Sequence, residues 1–241
     1  MARYDLIAGF GPPPVRCRAM RIHPRRRSVG RVALVVVATV LLAGCFTGQR
    51  PSFADHKFGA GTTTGDPAID AVLTKLDTAA TTPPTFTATY DITVRFGNLQ
   101  KTATVTVDGR SRSITMGDVQ YVQTPGLIET CRSSVCTTGL DAAAISDSQM
   151  TVDFYAADAA TRLRVDAAAK IGPTASRTEQ IAGQPASCVD VVQSTGNASY
   201  CVLDDGILAK LTDGDVFVTM TSYSQTADPT ALTPHPTTPT T

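Results

Sequence analysis

Between Thr85 and Tyr121 apolar and polar residues alternate with a period of two, interrupted by three short turn signals. In the first run Phe86, Ala88, Tyr90, Ile92, Val94 and Phe96 are apolar, whereas Thr85, Thr87, Thr89, Asp91, Thr93 and Arg95 are polar. Gly97-Asn98 is a hairpin signal, after which the parity flips to Leu99, Ala103, Val105 and Val107. Asp108-Gly109 and Gly117-Asp118 introduce Ile114 and Met116, then Val119 and Tyr121. Two-residue turns would set Phe96 opposite Leu99, Val107 opposite Arg110 and Met116 opposite Val119. That register gathers the apolar side chains on one face of a four-stranded antiparallel meander, and a one-residue slip would destroy it.

The same reading extends along the chain. Asp66-Pro67 is a helix start, with Asp as N-cap and Pro in the first turn, and Ile69, Val72, Leu73 and Leu76 recur at helical spacing. After the meander, Leu127–Leu140 holds Cys131 and Cys136 around Ser133-Ser134. Asp141–Lys170 is alanine-rich and helical in pattern, with a break expected near Ser146–Ser148 and a stop at Gly172-Pro173. Strands are expected at Thr178–Ile181, Cys188–Val192, Tyr200–Leu203, Ile207–Leu211 and Val216–Tyr223. Asp205-Gly206 and Asp213-Gly214 mark turns, the second pairing Leu211 with Val216, Ala209 with Val218 and Ile207 with Met220. The elements amount to one α+β domain over residues 66–225.

Charge divides the chain in two. Residues 1–44 hold eight arginines and one acid, leaving thirteen basic against twenty acidic residues in 45–241, a net of about −7. An acidic domain argues against nucleic acid as a partner. Arg21, Arg25–Arg27 and Arg31 precede Val32–Ala43, an apolar run too short to span a bilayer but of signal-peptide length. Leu42-Ala43-Gly44-Cys45 closes that run and resembles the lipobox of bacterial lipoproteins. The resemblance implies a signal peptide over 1–44 and acylation of Cys45, which places the protein on the extracytoplasmic face of the cell membrane, held by its lipid. Met20 onward already makes a complete signal peptide, which points to Met20 as the true start. Residues 45–65 are a polar tether, and residues 226–241 a Thr/Pro-rich disordered tail.

The four mature cysteines beyond Cys45 allow three pairings; proximity favours Cys131–Cys136 and Cys188–Cys201, the second pair lying symmetrically about Ser194-Thr195. A metal site built from all four cysteines is the competing reading, but its spacings are loose for zinc. His23, His56 and His235 fall in the signal peptide, tether and tail, so none is placed as a fixed general base. No nucleophile-elbow, phosphate-loop or metal-spaced motif is present in the sequence, and Asp108, Asp118, Asp205 and Asp213 are explained by turns. The expectation is therefore a binding protein, with no catalytic residue, cofactor or metal.

The order of helix, strand meander, helical insert and second meander is similar to that of the LolA/LolB-like carriers and of the actinobacterial LppX/LprG-type lipid-carrier lipoproteins. The pieces that carry the resemblance are Ala68–Leu76, Phe86-Thr87-Ala88-Thr89-Tyr90 and Ile181-Ala182-Gly183-Gln184-Pro185-Ala186. The tryptophan that often follows the meander in these relatives is missing. The resemblance implies a curved antiparallel half-barrel with helices packed on its concave face, enclosing a lipid or other apolar small molecule. Parity then assigns Phe86, Tyr90, Ile92, Val94, Val105, Ile114, Val189, Val202, Ala209 and Val218 to the cavity wall. Lys101, Arg110 and Arg112 fall on the same side, where they can meet a lipid phosphate or carboxylate. The alternative is a surface lipoprotein that binds an envelope protein through a patch or sheet edge and needs no cavity.

Overall fold

The computed structural model describes residues 58–133, 135–146 and 150–233. The signal peptide, Cys45 and most of the tether lie outside the described residues, as does the end of the tail. Eleven antiparallel strands form one open sheet in the order β6-β5-β4-β3-β2-β1-β11-β10-β9-β8-β7. They are β1 (Phe86–Val94), β2 (Leu99–Asp108), β3 (Ser111–Met116), β4 (Val119–Thr124), β5 (Leu127–Arg132), β6 (Val135–Thr138), β7 (Ala175–Ile181), β8 (Gln184–Gln193), β9 (Gly196–Leu203), β10 (Leu208–Thr212) and β11 (Val216–Ser224). The topology is two consecutive meanders, joined where β1 pairs with β11. The sheet curves as an unclosed half-barrel, and its concave face is covered by α1 (Pro67–Thr81) and α3 (Ala157–Ala168), with a short α2 (Ala142–Ser146) between the meanders. No described helix is long and apolar enough to cross a membrane.

Parity survives in the structure even where the turns differ. Val94, not Phe96, pairs with Leu99, so the first hairpin closes through four residues, with Asn98 N–H donating to Arg95 O at 3.1 Å. Gly97 and Asn98 both take positive φ, and Phe96 is left 83% exposed at the tip. The second turn is Gly109-Arg110, so Val107 faces Arg112 rather than Arg110. Near Asp213 the carboxylate accepts from the backbone N–H of Asp215 and Val216, an Asx-type turn that widens the loop and pairs Leu211 with Val218. Each correction is a shift of two, which preserves the face. Met116 does face Val119, and Cys131 and Cys188 face Cys136 and Cys201 as expected. Both pairs form disulfides, with Cα–Cα separations of 3.9 and 4.0 Å. Ala182-Gly183 makes a tight turn, and Pro185 continues into β8 opposite Gln180.

The break in the helical insert is longer than the pattern suggested. Residues 150–156 are not helical, and Met150, Val152, Phe154 and Tyr155 enter the core from this segment. Phe154 meets Tyr90 edge-on at 5.1 Å between centroids, and Tyr155 meets Phe86 at 5.7 Å. A register shift between Thr89 and Tyr90 brings Tyr223 onto the same face as Met220, where it stacks on Phe86.

Helix α1 starts as its sequence dictates. The Asp66 carboxylate accepts from Ala68 N–H at 3.1 Å and also from Lys170 Nζ and Thr174 Oγ1, which tie α1 to the end of α3. Those last two hydrogen bonds, outweighing desolvation, hold its pKa down at about 2. Because the folded value lies below the ordinary carboxylate value of about 3.9, Asp66 stabilises the fold fully above that pH and loses the contribution as pH falls through 2. Asp66→Ala is expected to cost about 1–2 kcal/mol at pH 7, with the gap to wild type narrowing below pH 4 in urea unfolding.

A candidate ligand cleft at the rim of the half-barrel

The pairing register carries one row of inner-face residues across the sheet near its rim: Phe86, Val107, Arg112, Gln123 and Ile128. The C-terminal turn of α1 lies above this row, and the Gly109-Arg110 and Pro125-Gly126 hairpin tips rise beside it. Between them opens a cleft of about 630 Å³. Its walls are Ala79, Ala80, Thr81 and Pro83 on the helix side, Val107, Leu127 and Ile128 on the sheet, and Tyr155–Ala157 at the back.

Arg112 forms the polar floor. Its Nε donates to Gln123 Oε1 at 2.8 Å, its Nη1 pairs with the Asp153 carboxylate, and its guanidinium carbon lies 5.5 Å from the Tyr121 ring centroid. Tyr121 Oη donates to the same Gln123 oxygen at 2.9 Å, fixing the amide's orientation. Burial is the largest single influence and disfavours the Arg112 charge, but the Asp153 carboxylate and the Tyr155 and Tyr121 hydroxyls together outweigh it and raise the pKa. Burial also pushes up the Tyr155 phenol, although Arg112 beside it pulls the other way. The guanidinium is thus held in place by an ion pair with Asp153 and a hydrogen bond to Gln123. Arg110, at the hairpin tip, lines the cleft, is exposed and makes no ion pair among the described residues.

The ten residues assigned by parity to a cavity wall lie elsewhere. Phe86, Tyr90, Ile92, Val94, Val105, Ile114, Val189, Val202, Ala209 and Val218 are at most 2% exposed and belong to the packed core. None of them lines the cleft; Val189 borders a separate shallow groove between α1 and β7–β8. What fills the concave face there is Phe154, Tyr155 and Leu163 together with the buried edge of α1. Arg112 lines the cleft from the inner face of β3; Arg110 lines it from the hairpin tip, not from the expected strand position opposite Val107, and Lys101 pairs opposite Ile92 and does not line it.

Gln123, Asp153 and Tyr155 were not singled out by the sequence. Gln123 had a signal in Pro125-Gly126, a turn dipeptide that places a hairpin there. Asp153 and Tyr155 had none, because they lie in the stretch that reads as helix. The two groups of three potential metal ligands among the described residues, Glu129 with Cys131 and Cys136 and Glu179 with Cys188 and Cys201, both depend on sulfurs already joined in disulfides.

No protein-family model and no curated protein matches this chain. Among solved structures it is similar to MucB, at 15% identity and a TM-score of 0.47, over 71% of this chain and 64% of that one. It therefore spans less than two thirds of MucB. It is also similar to LprF from Mycobacterium bovis, at 13% identity and a TM-score of 0.36, over 66% of this chain and 95% of that one. The Mycobacterium tuberculosis lipoprotein LppX aligns at 13% identity and a TM-score of 0.37, over 64% and 94%.

Proposed function

We propose that this protein is a lipid-anchored, extracytoplasmic binding protein that takes a lipid or other apolar ligand, without catalysis, and carries or presents it in the cell envelope. The observation that supports the reading is the rim cleft, whose lining sets apolar side chains beside the Arg112–Asp153 pair and Arg110, and whose volume falls within the ~300–1,000 Å³ typical of ligand pockets. The lipobox-like Leu42-Ala43-Gly44-Cys45 supports the anchor. Native mass spectrometry of the protein extracted from its bacterial membrane is the test. Adducts of lipid mass that vanish on denaturation are expected, and a clean apo mass overturns ligand carriage. For the anchor, Cys45→Ser is expected to abolish incorporation of labelled palmitate and leave the unprocessed precursor; undiminished labelling overturns it.

A second reading has its own support in the filled interior and in β7, whose residues 175–178 and 180 are exposed along one edge of the open sheet. Here an envelope protein adds a strand to β7. Thr178→Pro, which removes a backbone donor at mid-edge, is expected to abolish such capture while leaving lipid adducts intact.

A further inference from the structure

The charge and wall chemistry of the rim cleft say what kind of ligand it takes. The lining contains two cations, Arg110 and Arg112, and one acid, Asp153. Asp153 is spent on Arg112, while Arg110 makes no ion pair among the described residues, so the cleft carries one surplus positive charge. The surplus sits on the exposed Gly109-Arg110 tip, and Ala79, Ala80, Val107 and Ile128 supply apolar lining to the same cleft. Arg112 keeps about a quarter of its side chain accessible, at 24%, and Asp153 keeps 42%, so the pair is reachable from the cleft rather than sealed. Resting on the ligand-binding reading above, we infer that the cleft selects a singly charged anionic amphiphile. Its carboxylate or phosphodiester head is held between Arg110 and Arg112, and its hydrocarbon lies along the α1 wall.

Guanidinium groups suit this role because their planar donors match a carboxylate or phosphate edge and remain charged at any physiological pH. Asp153 is then a competitor: it neutralises Arg112 in the empty cleft, and a bound head group shares or displaces it. This has a consequence that a merely structural ion pair lacks. Removing the acid raises the net charge of the cleft from one to two and strengthens anion binding, whereas removing a structural partner from Arg112 weakens nothing but the fold.

The test uses the full-length lipoprotein in a non-ionic detergent, incubated with equal concentrations of dodecanoate, dodecanol and dodecylamine and read by native mass spectrometry. Dodecanoate adducts are expected to exceed dodecanol adducts about tenfold, with dodecylamine lowest, the size of one charge-assisted contact. Arg110→Gln, at an exposed position of the β2–β3 turn, is expected to bring carboxylate and alcohol within about twofold. Asp153→Asn is expected to raise the preference for dodecanoate over dodecanol several-fold. Equal uptake of all three probes, or a preference that neither variant moves, overturns the head-group assignment while ligand binding stands. Absence of every adduct overturns both. Displacement of dodecanoate by excess acetate would assign the site to a small free anion and overturn the amphiphile.

Discussion

Gly206→Ala is expected to destabilise the domain by about 4 kcal/mol, a large share of the ~5–15 kcal/mol that holds a domain of this size. Gly206 sits in the β9–β10 turn with φ +86°, a conformation that side chains rarely adopt. A Cβ there would lie 2.2 Å from Lys75 O and 2.8 Å from Ala79 Cβ, in the middle and last turns of α1 respectively. Neither neighbour is the loose end of a flexible side chain, so α1 must lift from the sheet or the turn must refold. Both responses disturb Leu76 and Ala79, which are buried beneath the helix. The control is Gly214→Ala, where an added Cβ meets nothing within 4 Å, and little change is expected. Urea unfolding of the three proteins checks the contrast. Equal midpoints would show that α1 does not press on this turn.

The example separates what the chain declares from what only the assembled fold decides. Asp205-Gly206 is visibly a turn, but that the turn abuts α1 follows from sheet curvature, which no local pattern encodes. The same division runs through the sheet. Strand parity is written into alternation such as Phe86 to Val94, and it is robust because slips of two keep every side chain on its face. Turn length is less legible: Phe96 continues the alternation but is left in solvent, since Gly97 and Asn98 adopt positive φ and the strand ends before it. The cysteine pairs were readable because each is symmetric about a two-residue gap.

For the site, the apolar-side position of Arg112 was legible for the same reason as the strands. Its company was not. Asp153 and Tyr155 come from a segment whose alanine-rich surroundings imitate a continuous helix, and they reach Arg112 only because residues 150–156 leave helical geometry and drop Phe154 and Tyr155 into the concave face. That departure also turns the expected cavity wall into core. An alanine-rich cover reads as thin, but the aromatic pair within it supplies the missing volume.

Arg164→Met is expected to cost about 3 kcal/mol and to loosen the segment that leads into the domain. Arg164 stands on α3 at 3% exposure, its Nε donating to Thr62 O at 2.9 Å and its Nη2 paired with Asp77 of α1. The same Asp77 oxygen accepts from Gly61 N–H at 2.9 Å, so one buried cation joins both helices and the incoming chain. Asp70 repeats the arrangement nearer the start of α1, accepting from Thr64 N–H at 2.7 Å and Gly65 N–H at 3.2 Å. Residues 59–65, which the composition assigns to a free tether, are thus strapped along α1. Methionine keeps the aliphatic bulk of Arg164, so the expected loss measures the charge and its hydrogen bonds rather than a cavity. It also leaves Asp77 without its cation in a half-buried position, which is the costly half of breaking such a pair. Asp77→Asn in the same background should recover part of the loss, because the uncompensated charge is gone while an oxygen remains for Gly61. Hydrogen exchange locates the effect: Gly61 N–H should lose protection in Arg164→Met far more than Thr64 N–H, which Asp70 still holds. Equal loosening at both positions would mean that the strap is held as a unit by α1 packing, with Arg164 incidental to it.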